Sequence, residues 1–217
     1  MAIGLGAMLA PGLARASGEF HPTMSPEQAL QLLKEGNARF LAGKTERPNL
    51  SMQRIEETSA KGQHPFVTII SCSDSRVPVE YVFDRGIGDL FVIRVAGNVA
   101  RTDEIGTSEY GVGHLMTPLL VVLGHTRCGA VTAVVKGDKV GGSIPQLVSG
   151  IGPAAQRAKA KGASGDALIL DAIKENVQQS IQDLLSGSEE LYNFRMNGKL
   201  KVVGALYHVE NGKVEWL

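Results

Sequence analysis

Apolar residues along this chain follow two rhythms. Three short runs are continuous: Phe66-Val67-Thr68-Ile69-Ile70, Leu90-Phe91-Val92-Ile93 and Leu119-Leu120-Val121-Val122-Leu123. They are rich in β-branched residues and bounded by proline, glycine or charge, and they do not alternate. That is the pattern of strands buried on both faces, as in a covered parallel sheet. Elsewhere the apolar positions recur at helical spacing. Ser25-Pro26-Glu27-Gln28 is a capping box with proline at the first helical position. Leu30, Leu33, Phe40 and Leu41 follow on one face, and Gly43 closes the run.

Further helices are predicted over 52–60, 79–83, 104–116 and 129–136. A long amphipathic one over 166–185 carries Leu168, Ala172, Ile173, Val177 and Ile181 on one side. Segments 199–209 and 213–217 flank Asn211-Gly212, a hairpin signal. The series predicts an α/β fold: a mainly parallel central sheet flanked by helices, with an N-terminal helical arm and a C-terminal hairpin at the sheet edge.

Length and charge narrow this picture. A chain of 217 residues suits one substantial domain, expected here over 19–217. Lys+Arg and Asp+Glu balance at 22 each, so no basic field points to nucleic acid or to stable membrane association. Residues 1–13 are almost wholly apolar or glycine, and Ala14-Arg15-Ala16 fits a signal-peptidase pattern. The run is too short to span a bilayer as a helix, and no basic region precedes it. It reads as the remnant of an export signal, which predicts a periplasmic or secreted enzyme. A flexible lead-in on a cytoplasmic enzyme is the alternative.

The candidate chemistry lies in two motifs. Cys72-Ser73-Asp74-Ser75-Arg76 directly follows the first core strand, and His125-Thr126-Arg127-Cys128-Gly129 directly follows the third. Both therefore fall beyond the carboxyl ends of parallel strands, where α/β proteins place their sites. Two cysteines and one histidine form an open zinc set with one position vacant, and a borderline-soft metal suits thiolate plus imidazole. A buried free cysteine alone is a small hydrophobe. A Cys72–Cys128 disulfide would leave Asp74, Arg76 and His125 unexplained at two strand ends.

With these motifs on the page, the chain resembles the β-class carbonic anhydrases. The resemblance runs over nearly all the chain after Gly18. It rests on Cys-x-Asp-x-Arg and His-x-x-Cys-Gly, and also on Gly36 to Phe40, Ser71 to Pro78, Arg94 to Asn98 and Glu109-Tyr110. It implies one Zn²⁺ per subunit on Cys72, His125 and Cys128, with zinc-bound hydroxide attacking CO2 to give bicarbonate and a proton. A neutral Cys₂His centre should be a weaker Lewis acid than a His₃ one, so activity is expected to rise with pH through the mildly alkaline range.

The resemblance also makes Asp74 and Arg76 a dyad, in which the carboxylate accepts a hydrogen bond from zinc-hydroxide and the guanidinium keeps the carboxylate off the metal. It assigns Gln63, Phe91, Ala96, Tyr110 and Gly129 to a small apolar substrate pocket. Gln63 and Tyr110 would reach a neighbouring subunit's site, so a homodimer or a larger assembly of dimers is implied, with Phe40 and Leu41 in the exchange. Ile69 stands where bicarbonate-inhibited members of the family carry tryptophan, which predicts an open site without that inhibitory pocket. His64, His114 and His208 are read as core or surface residues, and Trp216 as packed at an interface. Two rival functions stay open: hydrolysis of carbonyl sulfide or carbon disulfide on the same ligands, and a non-enzymatic zinc or thiol sensor.

Overall fold

The computed structural model of the protein describes residues 24–217. The expected export-signal remnant and lead-in, residues 1–18, lie outside the described residues. Helices α1 (Pro26–Leu41) and α2 (Met52–Lys61) lead into strand β1 (Val67–Ser71). The short helix α3 (Val79–Val82) precedes β2 (Leu90–Arg94), and α4 (Thr102–Glu109) precedes β3 (Leu119–His125). Then come α5 (Gly129–Lys136), α6 (Ile144–Val148), α7 (Gly152–Ala160), α8 (Gly165–Gly187) and α9 (Glu189–Met196). Strands β4 (Lys201–Tyr207) and β5 (Val214–Trp216) complete the order.

The five strands form one sheet in the order β2-β1-β3-β4-β5. All neighbours run parallel except β5, which returns antiparallel to β4. The chain leaves β1 first towards β2 on one side and then reaches β3 on the other, so β1 and β3 flank the point where the winding reverses. Ser71 is in register with Leu123, which brings Cys72, directly after β1, beside the end of β3. That crevice is where the two motifs meet.

Alternation across the strands explains why both sheet faces are covered. Ile69 and Val121 point into a core shared with Ala29 and Leu33 of α1 and with Phe83. Ile70 and Val122 point the other way, towards Val177 and Leu184 of α8. Every residue of β1 and β3 is buried, which accounts for their unbroken apolar runs. Helix α8 can lie close on β3 and β4 because Gly124 and Gly204 face it. A Cβ at either position would stand 2.6 or 2.9 Å from Val177 side-chain atoms.

The predicted capping box is formed. Gln28 N donates to Ser25 Oγ at 3.2 Å, and Ser25 N donates to Gln28 Oε1 at 2.8 Å. The helix expected over 104–116 is shorter and ends differently. It gives way after Glu109 to a wide π turn, Tyr110–His114, seated where Gly111 packs against Thr68 and Phe91. Three helices went unread. In α7 the buried face is Ala154, Ala155 and Ala158, too small to register as an apolar stripe. Helices α6 and α9 are only 5 and 8 residues long. Trp216 packs within its own chain, with its ring centroid 6.2 Å from that of Phe83.

Candidate metal centre

Cys72 is placed by the end of β1, His125 is the last residue of β3, and Cys128 is the N-cap of α5. Their Sγ, imidazole and Sγ donor atoms all lie within 4.8 Å of one another, and all three residues are buried. Among the described residues this is the one such group of metal-ligating side chains. Both thiols are free, so the disulfide reading does not hold.

The histidine is oriented by its own loop. His125 Nδ1 lies 2.9 Å from the Thr126 carbonyl, which can only accept, so the proton sits on Nδ1 and Nε2 presents a lone pair. That Nε2 is buried and has no hydrogen-bond partner. An orphaned acceptor in such a place carries a desolvation cost unless something electrophilic meets it. The Gly97 amide donates to Cys72 Sγ at 3.3 Å, and the Cys128 sulfur receives help from the Ala130 and Val131 amides opening α5. The two sulfurs are close enough for one thiol to donate to the other. Their mutual hydrogen bond pushes the Cys72 thiol well down and the Cys128 thiol well up. A dication replacing that proton would suit both as thiolates. Two thiolates, one neutral imidazole and one open direction fit zinc.

Asp74 stands at the edge of this group, its Oδ2 3.8 Å from His125 Nε2. Arg76 grips it in a fork: Nε reaches Oδ1 at 2.9 Å and Nη2 reaches Oδ2 at 2.7 Å, while the Arg76 amide also donates to Oδ1 at 3.0 Å. The Arg76 side chain, ahead of its amide, holds the Asp74 carboxyl far below the usual carboxylate range. Arg76 Nη2 is steadied in turn by the Arg127 carbonyl at 3.2 Å.

The family model described as carbonic anhydrase matches residues 67–214. Carbonic anhydrase 2 of Mycobacterium tuberculosis is 35% identical over 196 residues, spanning 88% of this chain and 93% of that protein. A β-carbonic anhydrase structure from Aspergillus fumigatus superposes with a TM-score of 0.70 at 27% identity, over 88% of this chain and 89% of that one. The chain belongs to the β-carbonic anhydrase family. The carbonic anhydrase of Mycolicibacterium smegmatis is similar to the same extent, 34% identical over 198 residues, spanning 89% of this chain and 94% of that protein.

In this carbonic anhydrase the fold brings Cys72, Asp74, Arg76, His125 and Cys128 together. Gly129 opens α5 beside Cys128, and Ala96 lines an apolar cavity of about 280 Å³ together with Ala130. Phe91 and Tyr110 stack on each other with centroids 5.9 Å apart, and Tyr110 also stacks on His114. Gln63 is exposed in the loop between α2 and β1. His208 pairs with Glu215 at 3.2 Å, in keeping with a structural role.

Two supports were not assigned from sequence. Arg94, at the end of β2, donates to the Cys72 and Asp74 carbonyls at 3.1 and 2.7 Å and so fixes the backbone between them. Its signal was its place in the Arg94 to Asn98 segment of the family resemblance, at the charged close of an apolar strand. Glu210, in the β4–β5 turn, accepts from Thr126 Oγ1 at 2.7 Å and from Arg127 Nε at 3.0 Å. It thereby braces the two residues between the candidate ligands His125 and Cys128, and nothing local in the sequence marks it for that task.

Proposed function

We propose that this carbonic anhydrase holds one Zn²⁺ on Cys72, His125 and Cys128 and hydrates CO2 to bicarbonate and a proton. The observation that carries this reading is the buried, unpartnered His125 Nε2 converging with two free thiols next to an Arg-clamped carboxylate. When bound, the zinc supplies Lewis acidity that renders a water in its open position nucleophilic near neutral pH.

The chain's own residues do the orienting. Asp74 Oδ1 is occupied by the Arg76 amide and Nε, whereas Oδ2 meets only Nη2 and retains acceptor capacity. Oδ2 is therefore the atom placed to accept a hydrogen bond from the nucleophilic water or hydroxide and fix its direction of attack. Arg76 keeps that carboxylate from swinging onto the metal, and the Arg94 contacts keep the Cys72–Asp74 backbone from yielding. By the family resemblance, Ala96 and Gly129 would leave small apolar room for an uncharged linear substrate.

A second copy of the chain completes the reading. Strand β2 is a sheet edge, and the apolar groove beside its first residue, Leu90, is lined by Phe40, Leu50, Tyr81 and Ile87. Leu50 and Tyr81 are exposed there, as an interface would require. A homodimer across this edge would bring Gln63 and Tyr110 to the partner's site.

Metal content and stopped-flow CO2 hydration of wild type and Asp74→Asn test the mechanism together. The wild type is expected to carry one zinc per chain and to be active, and Asp74→Asn to keep the zinc and lose most activity. Full activity in Asp74→Asn, or none in the zinc-loaded wild type, would overturn the assignment.

A further inference from the structure

The turn after β2 has an unusual backbone. Gly97 and Asn98 are both left-handed, with φ of 78° and 45°. Asn98 tolerates that region better than most residues, but two such residues in succession do not hold themselves in place. The turn matters because its Gly97 amide donates to Cys72 Sγ. Its two carbonyls point into the interior, where each needs a donor.

Helix α8 provides both donors. Asn176 Nδ2 donates to the Gly97 carbonyl at 2.7 Å, and Ser180 Oγ donates to the Asn98 carbonyl at 2.9 Å. The two side chains are four residues apart, hence on one face of the helix, and each is 1% exposed. Asn176 Oδ1 has no partner, so it is the amide donor that accounts for a polar side chain at this depth. The close seat of α8 over Gly124 and Gly204 is what brings that face within reach.

We propose that Asn176 and Ser180 are positioning residues of the metal centre, holding the Gly97–Asn98 turn so that the Gly97 amide stays on the Cys72 sulfur. This rests on the zinc reading above. An N–H donor on a thiolate stabilises its lone pairs and favours the deprotonated, metal-binding form of the sulfur over the thiol. Outer contacts of this kind typically change metal affinity by about ten- to a hundredfold.

The test uses the full chain loaded with Co(II), whose thiolate-to-metal charge-transfer band reports the electron density on sulfur. Asn176→Leu is expected to move that band to longer wavelength and to make the metal about tenfold or more easier to strip with a chelator. In the metal-free protein, amide exchange at Gly97 should quicken in the same variant. Leu184→Ala, a buried change about two turns further along α8 than Asn176, serves as the comparison: it should lower the melting temperature and leave the band in place. If Asn176→Leu does not fold, Ser180→Ala decides, with a shift in the same direction.

An unmoved band with unchanged Gly97 exchange would overturn the proposal, as would an equal shift in Leu184→Ala. A wild type that shows no thiolate–Co(II) band would instead overturn the metal assignment itself.

Discussion

Replacing Thr126 by valine keeps the side chain's shape and deletes its hydroxyl at a position only 7% exposed. That hydroxyl donates to Glu210 Oε2 at 2.7 Å and accepts from Val209 N at 3.0 Å, tying the ligand loop to the β4–β5 turn. Stranding the Val209 amide costs about 1–3 kcal/mol, the range for a buried group left unmade. The bond to Glu210 is charge-assisted, but that side chain is 37% exposed, so water takes up most of the loss and it adds at most about 1 kcal/mol. The sum is about 1–4 kcal/mol, or a fall of about 2–16 °C in melting temperature for a chain of this size.

Thr126→Ser keeps both bonds and should stay within about 1 kcal/mol of wild type. The pH dependence follows from Glu210, whose carboxyl is held below its ordinary value first of all by the Thr126 bond. A depressed carboxyl stabilises the fold above its unfolded pKa, about 4.3, and loses that contribution as pH falls through the folded value. The deficit of Thr126→Val relative to Thr126→Ser is therefore largest at neutral pH and narrows below about pH 4. Calorimetry of the metal-free proteins measures both quantities. Equal stability of the two variants at neutral pH, or a deficit that widens in acid, would refute the clamp.

Other changes have equally defined outcomes. Gly124→Ala should destabilise by about 1–3 kcal/mol in chemical unfolding, because the new methyl meets Val177 at 2.6 Å and α8 must lift; no loss would mean that α8 is not closely seated. Asp84 is buried and accepts from Arg39 Nε at 2.6 Å and from the Glu46 and Arg47 amides. Burial alone would raise its carboxyl, but those bonds together outweigh it and hold the group below its ordinary range. Asp84→Asn should thus cost about 2–4 kcal/mol at neutral pH, with the difference closing as acid protonates the wild-type group, as read from urea midpoints at several pH values. Stripping the metal with a chelator should lower the melting temperature and adding zinc should restore it, since a ligand bound only by the folded chain contributes about 4 kcal/mol at a thousandfold excess over Kd. A melting temperature indifferent to zinc would contradict the centre.

Much of this was legible before any coordinates. The unbroken runs of β1 and β3 announced a covered parallel sheet, because a strand buried on both faces has no solvent side to keep polar, whereas β2, with a similar run, is only partly buried at the sheet edge. Cys72 and His125 were legible as ligands because their distance along the chain from a strand end is fixed by local geometry. The Ser25–Gln28 cap was equally local. Helix α7 was not legible, since its alanine face looks apolar only when set against α8.

What the chain by itself determined, then, is the candidate ligand group Cys72, His125 and Cys128, the Asp74–Arg76 pair and the class of fold. These depend on residue type and on spacing within a few positions. Only the tertiary structure decided that His125 presents Nε2, that Arg94 and Glu210 brace the two motifs, and that Asn176 reaches Gly97 from 79 residues away. Those contacts are set by how closely α8 and the β4–β5 turn seat against the sheet, a property of packing that no local pattern encodes.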